Sequence, residues 1–224
     1  MATKPILTTA IQPPPGPAAK LALPDESGVN PPVFNDAMIV RMRVFVDEQH
    51  CSADAEIDED DARSWQWVMY DPSPSPESST PRPVAVIRLV PPPQPPHAVL
   101  THAEDPSTKH LPPYDWTHEP CIKLTRVAVL PEYRGLGLGR RLMETALAWA
   151  AEHAAEIDAA AAQVAAQTEL VGSPGQWRGL VLVHAQVDVE RMYSGLGFVT
   201  DERLGQWDEE GIAHVGMFRR VEVR

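Results

Sequence analysis

The chain has 224 residues, 43% of them apolar, and a formal net charge of −12. That length suits one domain with decorations, and the apolar share excludes global disorder. The acidic balance argues against a nucleic-acid surface, which needs a basic face opposite the phosphates.

Proline punctuates the chain from its start. Residues 1–32 carry Pro13-Pro14-Pro15, Pro17 and Pro31-Pro32. They read as a proline-rich tail, with one early strand around Ile6 to Ile11. Residues 33–224 are then expected to form a single domain. From Asn35, the residues Met38, Ile39, Met42, Phe45 and Val46 recur at three- and four-residue steps. Those steps predict an amphipathic helix capped by Asn35 or Asp36. The acidic run Asp54 to Asp61 would repel itself as a helix and reads as a solvated loop.

Ser64 to Tyr70 and Val84 to Val90 are β-prone, an antiparallel pair joined through the Pro/Ser-rich stretch Pro72 to Pro83. Pro91 to Pro120 has few regular signals and is expected to be a surface insertion. Cys121 to Leu130 is a strand ended by Pro131. After a glycine loop, Leu138, Leu142, Ala146, Ala150, Ala154, Ile157, Ala161 and Val164 follow one face of a single long helix, stopped by Gly172, Pro174 and Gly175. Leu180 to Ala185 predicts a central strand. Asp188 to Ser194 predicts a short helix with Asp188 as cap and Gly195 as stop. Phe198 to Thr200 and His214 to Val221 give two last strands around a polar loop. The order predicts a mixed α+β domain, helices covering a mostly antiparallel sheet.

Other chemistries find little support. Cys51 and Cys121 form neither a disulfide framework nor zinc spacing, and the eight histidines show no paired helical spacing with a carboxylate, so no metal is expected. The segment Gly172-Ser173-Pro174-Gly175 lacks the spacing of a hydrolase elbow. Without a secretory signal or a stretch of about 20 apolar residues, the expected place is the cytoplasm, with the nucleus left open and no membrane partner.

The chemical signal is the loop Arg134-Gly135-Leu136-Gly137-Leu138-Gly139. A glycine loop that opens a helix presents free backbone N–H groups and the positive end of the helix dipole, which is an anion site. Arg134 and Arg140 add charged donors. A tight turn needing glycine for packing is the competing reading. A Walker loop requires Gly-Lys-Ser/Thr, but Arg140-Arg141 follow Gly139; a dinucleotide loop requires its third glycine where Arg140 stands.

The spacing present is Arg-x-x-Gly-x-Gly, preceded by Val127-Ala128-Val129-Leu130-Pro131-Glu132-Tyr133. It resembles the coenzyme A loop of the GNAT superfamily of acyl-CoA N-acyltransferases. Downstream, His184-Ala185-Gln186 and Tyr193-Ser194-Gly195-Leu196-Gly197-Phe198 resemble that family's fifth strand and the helix ending in Tyr-x-x-x-Gly-Phe. The run Arg43-Val44-Phe45-Val46-Asp47-Glu48-Gln49, with Glu56, Asp58 and Gly211-Ile212-Ala213-His214, resembles one bacterial-type subgroup. Together these blocks cover roughly Asn35 to Arg220, apart from insertions near 72–83 and 91–120.

The resemblance implies a GNAT fold, its sheet splayed between strands 4 and 5, and acetyl-CoA as cosubstrate. The expected activity is acetyl transfer to a primary amine by direct attack in a ternary complex. It assigns the cofactor to Val127, Ala128 and Val129 and to Arg134, Gly135, Leu136, Gly137, Leu138, Gly139 and Arg140. Tyr193 is expected to be the acid that protonates the leaving thiolate. Phe45, Glu48, Gln186 and His214 are candidates for the acceptor side. Lys123 stands where many relatives have a glutamate base, so the base is open among Glu48, Glu56, His184, Gln186 and His214. The acceptor is expected to be a small-molecule or peptide amine, a homodimer is an expected assembly, and a non-catalytic acyl-CoA-binding or sensing protein is the alternative.

Overall fold

The computed structural model describes residues 6–24, 28–72, 80–101, 106–168 and 174–224. Most of the Pro72–Pro83 connection and the helix stop at Gly172 lie outside them. The chain divides into two compact units, residues 1–90 with 126–146, and residues 91–125 with 147–224. Backbone pairing orders the strands β1 (Thr8–Gln12), β2 (Trp65–Asp71), β3 (Arg82–Val90), β4 (Ile122–Val129), β5 (Leu180–Gln186), β8 (Ile212–Arg220) and β6 (Val199–Thr200), with β7 (Gln206–Glu209) also on β8.

In the first unit, β1 (Thr8–Gln12) pairs antiparallel with β2 (Trp65–Asp71), and β2 with β3 (Arg82–Val90). The early strand expected near Ile6 is thus an edge strand of the sheet. Helix α1 (Pro32–Arg41) continues as a π-helical segment, Met42–Glu48. The expected cap at Asn35 or Asp36 is wrong: Pro31 precedes the first turn and Pro32 opens it, since proline at N1 forgoes an N–H that would be orphaned anyway. The apolar stripe is also shifted. Phe34, Ala37, Met38 and Val40 are buried, whereas Ile39 is 42% exposed. Ala37, Val40 and Val44 pack on Val68 of β2, Val86 of β3, and Ala128 and Leu130.

Strand β4 (Ile122–Val129) begins in the second unit and ends in the first. Its first half pairs parallel with β5 (Leu180–Gln186) over Ile122–Val181, Lys123–Leu182 and Leu124–Val183. The ladder stops there although both strands run on. All other recorded strand registers are antiparallel, as expected from sequence.

The single long helix is instead two, α3 (Leu138–Glu152) and α4 (Ala154–Gln167). His153 interrupts them: its Nδ1 lies 2.6 Å from the Trp149 carbonyl, which a continuing helix would give to the His153 backbone N–H. That N–H bonds Ala150 O at 3.2 Å instead. Alanine periodicity runs through the break and cannot show it.

In the second unit, α2 (Ala98–Thr101) lies within the 91–120 segment, whose Pro91, Pro92 and Pro93 are buried rather than on the surface. The helix expected at Asp188 is a 3-10 turn, Val187–Val189, leading into α5 (Glu190–Ser194), and no side chain caps it. β6 (Val199–Thr200) and β7 (Gln206–Glu209) both pair with β8 (Ile212–Arg220). The polar loop therefore hides a strand. Glu210 and Gly211, at φ 54° and 84°, make a two-residue hairpin turn of the kind that requires positive φ at both positions.

Candidate active site

The glycine loop is built by the first unit. Pro131–Tyr133 form a 3-10 turn after β4, and the Tyr133 hydroxyl donates to Asp71 Oδ2 at 2.7 Å while Arg82 pairs with Glu132. Both contacts pin the entry to the loop. Gly135 and Gly137 each have φ +76°, where an added Cβ would meet nothing within 4 Å. The first backbone bond of the loop–helix junction runs from Arg141 N–H to Gly137 O at 3.0 Å. The N–H groups of Leu138, Gly139 and Arg140 are therefore the orphan donors of the α3 N-terminus. A diphosphate fits this cradle: backbone donors, open space and the helix dipole coincide.

The charged side chains around it are engaged elsewhere. Arg134 forks onto Glu48 with two bonds of 2.6 Å, and its Nε donates to Val129 O at 3.1 Å. Glu48, a candidate for the acceptor side, is thereby tied to the loop, and its carboxyl is held below the usual range by Arg134. Arg140 Nε donates to Glu144 at 2.8 Å. Leu138 is buried, Leu136 is exposed, and Gly139 lies against the side chains of Val127 and Val129.

The acidic run is not a solvated loop. Asp61 is fully buried and Glu56 nearly so. Arg41 reaches from the core stripe of α1, its Nε donating to Glu56 at 3.0 Å and its Nη1 to Asp61 at 2.7 Å; Nη2 bonds the Glu56 carbonyl. Arg88 of β3 forks onto Asp58 at 2.7 and 2.8 Å. Gln66 Nε2 donates to Asp61 at 3.1 Å. Burial works to raise the Asp58 and Asp61 carboxyls, yet the arginines hold both below the ordinary range.

The second unit gathers a different set. His184 on β5, Trp207 and Glu209 on β7, His214 on β8 and His97 form an aromatic cluster. The Trp207 ring makes edge contacts with His184 and His97 at 4.9 and 4.8 Å and stacks on His214 at 6.5 Å. Trp207 Nε1 donates to Glu209 Oε1 at 2.7 Å, and His184 Nδ1 lies 3.2 Å from the same oxygen, off the line of a hydrogen bond. Burial, then the Lys123 ammonium, pushes His184 down to about 4, against the pull of Glu209. His214 Nδ1 lies 2.8 Å from Ile212 O, and Gln186 is its cross-strand neighbour. Tyr193 of α5 is buried with its ring edge-on to Phe198 at 5.9 Å, and burial pushes its phenol up to about 12.

Burial of His184 makes folding stability depend on pH. The unfolded chain takes a proton at about 6.5 and the folded one only near 4. The histidine's contribution is therefore complete above about pH 6.5, declines as pH falls, and is gone below about 4. Urea unfolding is expected to show a midpoint that rises across this window, and His184→Gln is expected to flatten that rise. An equally steep rise in the variant would assign it to other groups.

Sequence reading missed Arg41, Arg88, Arg126, Trp207 and Glu209. The arginines sit in otherwise apolar stretches, which is itself a signal of paired burial. Glu209 was hidden because its strand is short and polar, though Glu210-Gly211 marked a hairpin. Among the described residues, no group of three or more His, Cys, Asp or Glu is arranged to hold a metal ion, and no helix is long and apolar enough to cross a membrane.

A family model described as the acetyltransferase (GNAT) family matches residues 39–168. Among solved structures, the chain is similar to an acyl-CoA N-acyltransferase from Pseudomonas aeruginosa, with 22% identity and a TM-score of 0.52 over 95% of this chain and 99% of that one. Escherichia coli ElaA gives 18% and 0.52 over 96% and 100%. NAA60 of Arabidopsis thaliana in complex with acetyl-CoA gives 13% and 0.50 over 96% and 99%. At these identities the structures speak to the fold.

Proposed function

Because the chain belongs to the GNAT acetyltransferase family, we propose that it transfers an acetyl group from acetyl-CoA to a primary amine by direct attack in a ternary complex. Acetyl-CoA is the cosubstrate of that family, and its thioester supplies the acyl group. The observation that carries the reading is the loop: two glycines at φ +76° opening onto the unpaired N–H groups of α3. Those donors, at Leu138, Gly139 and Arg140, together with the loop backbone from Gly135 to Gly137, hold the pyrophosphate. Backbone groups of Val127 to Val129 orient the pantetheine arm and offer a donor to the carbonyl oxygen as negative charge gathers on it.

Tyr193 is the acid. Its phenol stays protonated at neutral pH and gives its proton to the departing thiolate as the carbon–sulfur bond breaks. His184 is the base. Among the candidates, Glu48 is committed to Arg134 and Glu56 to Arg41, whereas His184 is neutral at pH 7 with Glu209 beside Nδ1. Glu209, itself held by Trp207, stands 3.2 Å from Nδ1, and its negative charge favours the tautomer with the proton on that nitrogen, leaving Nε2 to take the proton released by the amine. Phe45, Gln186 and His214 serve the acceptor. Lys123 favours a second reading, an acyl-CoA-binding protein without turnover, because it cannot act as the base its position holds in many relatives.

Thiol release from acetyl-CoA across a panel of amines tests both. The wild type is expected to turn over, and Tyr193→Phe and His184→Gln each to lose about 100-fold or more in kcat with acetyl-CoA affinity retained. Binding without thiol release from any amine would establish the second reading.

A further inference from the structure

We infer that Arg126 is the docking cation for a carboxylate carried by the acyl acceptor, so that the amine substrate is an amino acid or a peptide-like amine acid. The inference rests on the acyltransferase reading, because Arg126 directly precedes Val127–Val129, the stretch given to the thioester.

Three arginines meet the acidic loop, and they are not equivalent. Arg41 and Arg88 are buried to 0% and 3% exposure and hold Glu56, Asp58 and Asp61 through bonds of 2.7 to 3.0 Å. Arg126 is 23% exposed, and what remains for it is poor. Its Nε lies 3.5 Å from Glu56 Oε2 without a hydrogen bond, and Nη2 is 3.3 Å from both Asp58 Oδ2 and the Ala55 carbonyl. Nη1 has no partner among the described residues. Structural neutralisation of Glu56 and Asp58 would be served by shorter bonds than these.

The backbone points the same way. Arg126 has φ +51°, a left-handed conformation within a strand, which an L side chain adopts only at a cost. That cost suits a residue whose direction matters. The guanidinium sits 6.0 Å over the Phe45 ring, which walls one of its faces, and part of the side chain remains open to solvent. Burial, then Arg88 and Arg41, lowers its proton affinity against the pull of Glu56 and Asp58, so an arriving anion meets a cation that these carboxylates neutralise only in part. A planar fork with free donors selects a carboxylate. A cationic acceptor held by the acidic loop is disfavoured, since Asp58 and Asp61 give both carboxylate oxygens, and Glu56 its Oε2, to partners within the protein.

The test is calorimetric titration of the full chain, saturated with coenzyme A, with product-like probes. These are the N-acetyl derivatives of glycine, leucine, phenylalanine, lysine and glutamate, each against the N-acetylamine lacking only its α-carboxylate. At least one carboxylate is expected to bind tenfold or more tightly than its partner, Arg126→Gln to abolish the difference, and Arg126→Lys to keep part of it. Thermal melting and coenzyme A affinity of both variants control for folding. Equal binding within every pair, no binding of any carboxylate, or an Arg126→Gln protein that still discriminates would overturn the proposal. Should coenzyme A itself fail to bind, the acyltransferase reading falls, and the same titrations on the free protein still decide whether Arg126 receives carboxylates.

Discussion

Gly137→Glu is expected to reduce acetyl-CoA affinity by about three orders of magnitude while the protein stays folded. Nothing lies within 4 Å of a Cβ built at Gly137, so the side chain has room. The left-handed backbone, φ +76°, costs a non-glycine residue about 1–2 kcal/mol. A carboxylate at the start of α3 returns part of that cost by facing the positive end of the helix dipole. The same carboxylate stands where the pyrophosphate must bind. At roughly 4 Å and an effective dielectric near 20, the repulsion between unit charges is about 4 kcal/mol. Gly137→Ala carries the backbone cost without the charge and is expected to lose only severalfold in affinity. Titration calorimetry with acetyl-CoA separates the two, with thermal melting as the folding control. Undiminished binding in the glutamate variant would remove the loop from the cofactor site.

Arg41→Met is expected to have the largest effect on stability, a loss of about 3–5 kcal/mol, because it strands buried carboxylates whose partner is gone. Arg41 is wholly inaccessible and serves Glu56 through Nε, Asp61 through Nη1, and the Glu56 carbonyl through Nη2. Arg88 stays 3.0 Å from Asp61, which moderates the loss. For a chain of this size the melting temperature should fall by about 10 °C. Adding Asp61→Asn and Glu56→Gln is expected to restore part of the loss, since uncharged amides are cheaper to leave buried. The network also sets acid sensitivity. Asp58 and Asp61 titrate below their ordinary value of 3.8 in the folded chain. Their contribution is present above that value and is lost as pH falls through it toward their folded values. A melting temperature unchanged in Arg41→Met would mean that the ions contribute nothing net.

The glycine loop was legible because its chemistry is local: three glycines at fixed spacing between an apolar strand and a helix need no distant contact to be recognised. The strands β2 to β5 and β8 were legible for a related reason, their apolar runs having strand length. The start of α1 is not legible in line, because Asn35 and Asp36 are good caps in isolation, while Pro31-Pro32 continue the proline pattern of the tail. The break at His153 depends on one side chain meeting the Trp149 carbonyl, a detail beneath any periodicity.

What the sequence determined by itself is the order of the strands β1 to β5 and β8, the mixed α+β class and a glycine loop before α3, each set by neighbours along the chain. What only the tertiary structure decided is which charges remain available. Read in line, Glu48 and Glu56 are candidates for the acceptor side or the base, and Asp58 and Asp61 belong to a solvated loop. Arg134, Arg41 and Arg88 are remote from them in sequence and consume them once folded. His184 and Glu209 meet because β5 and β7 both pair with β8, and Arg126 is left with spare donors because its two fellow arginines reach the acids first. Electrostatic partnership is a through-space property that falls steeply with distance and exposure, so it is settled by the fold.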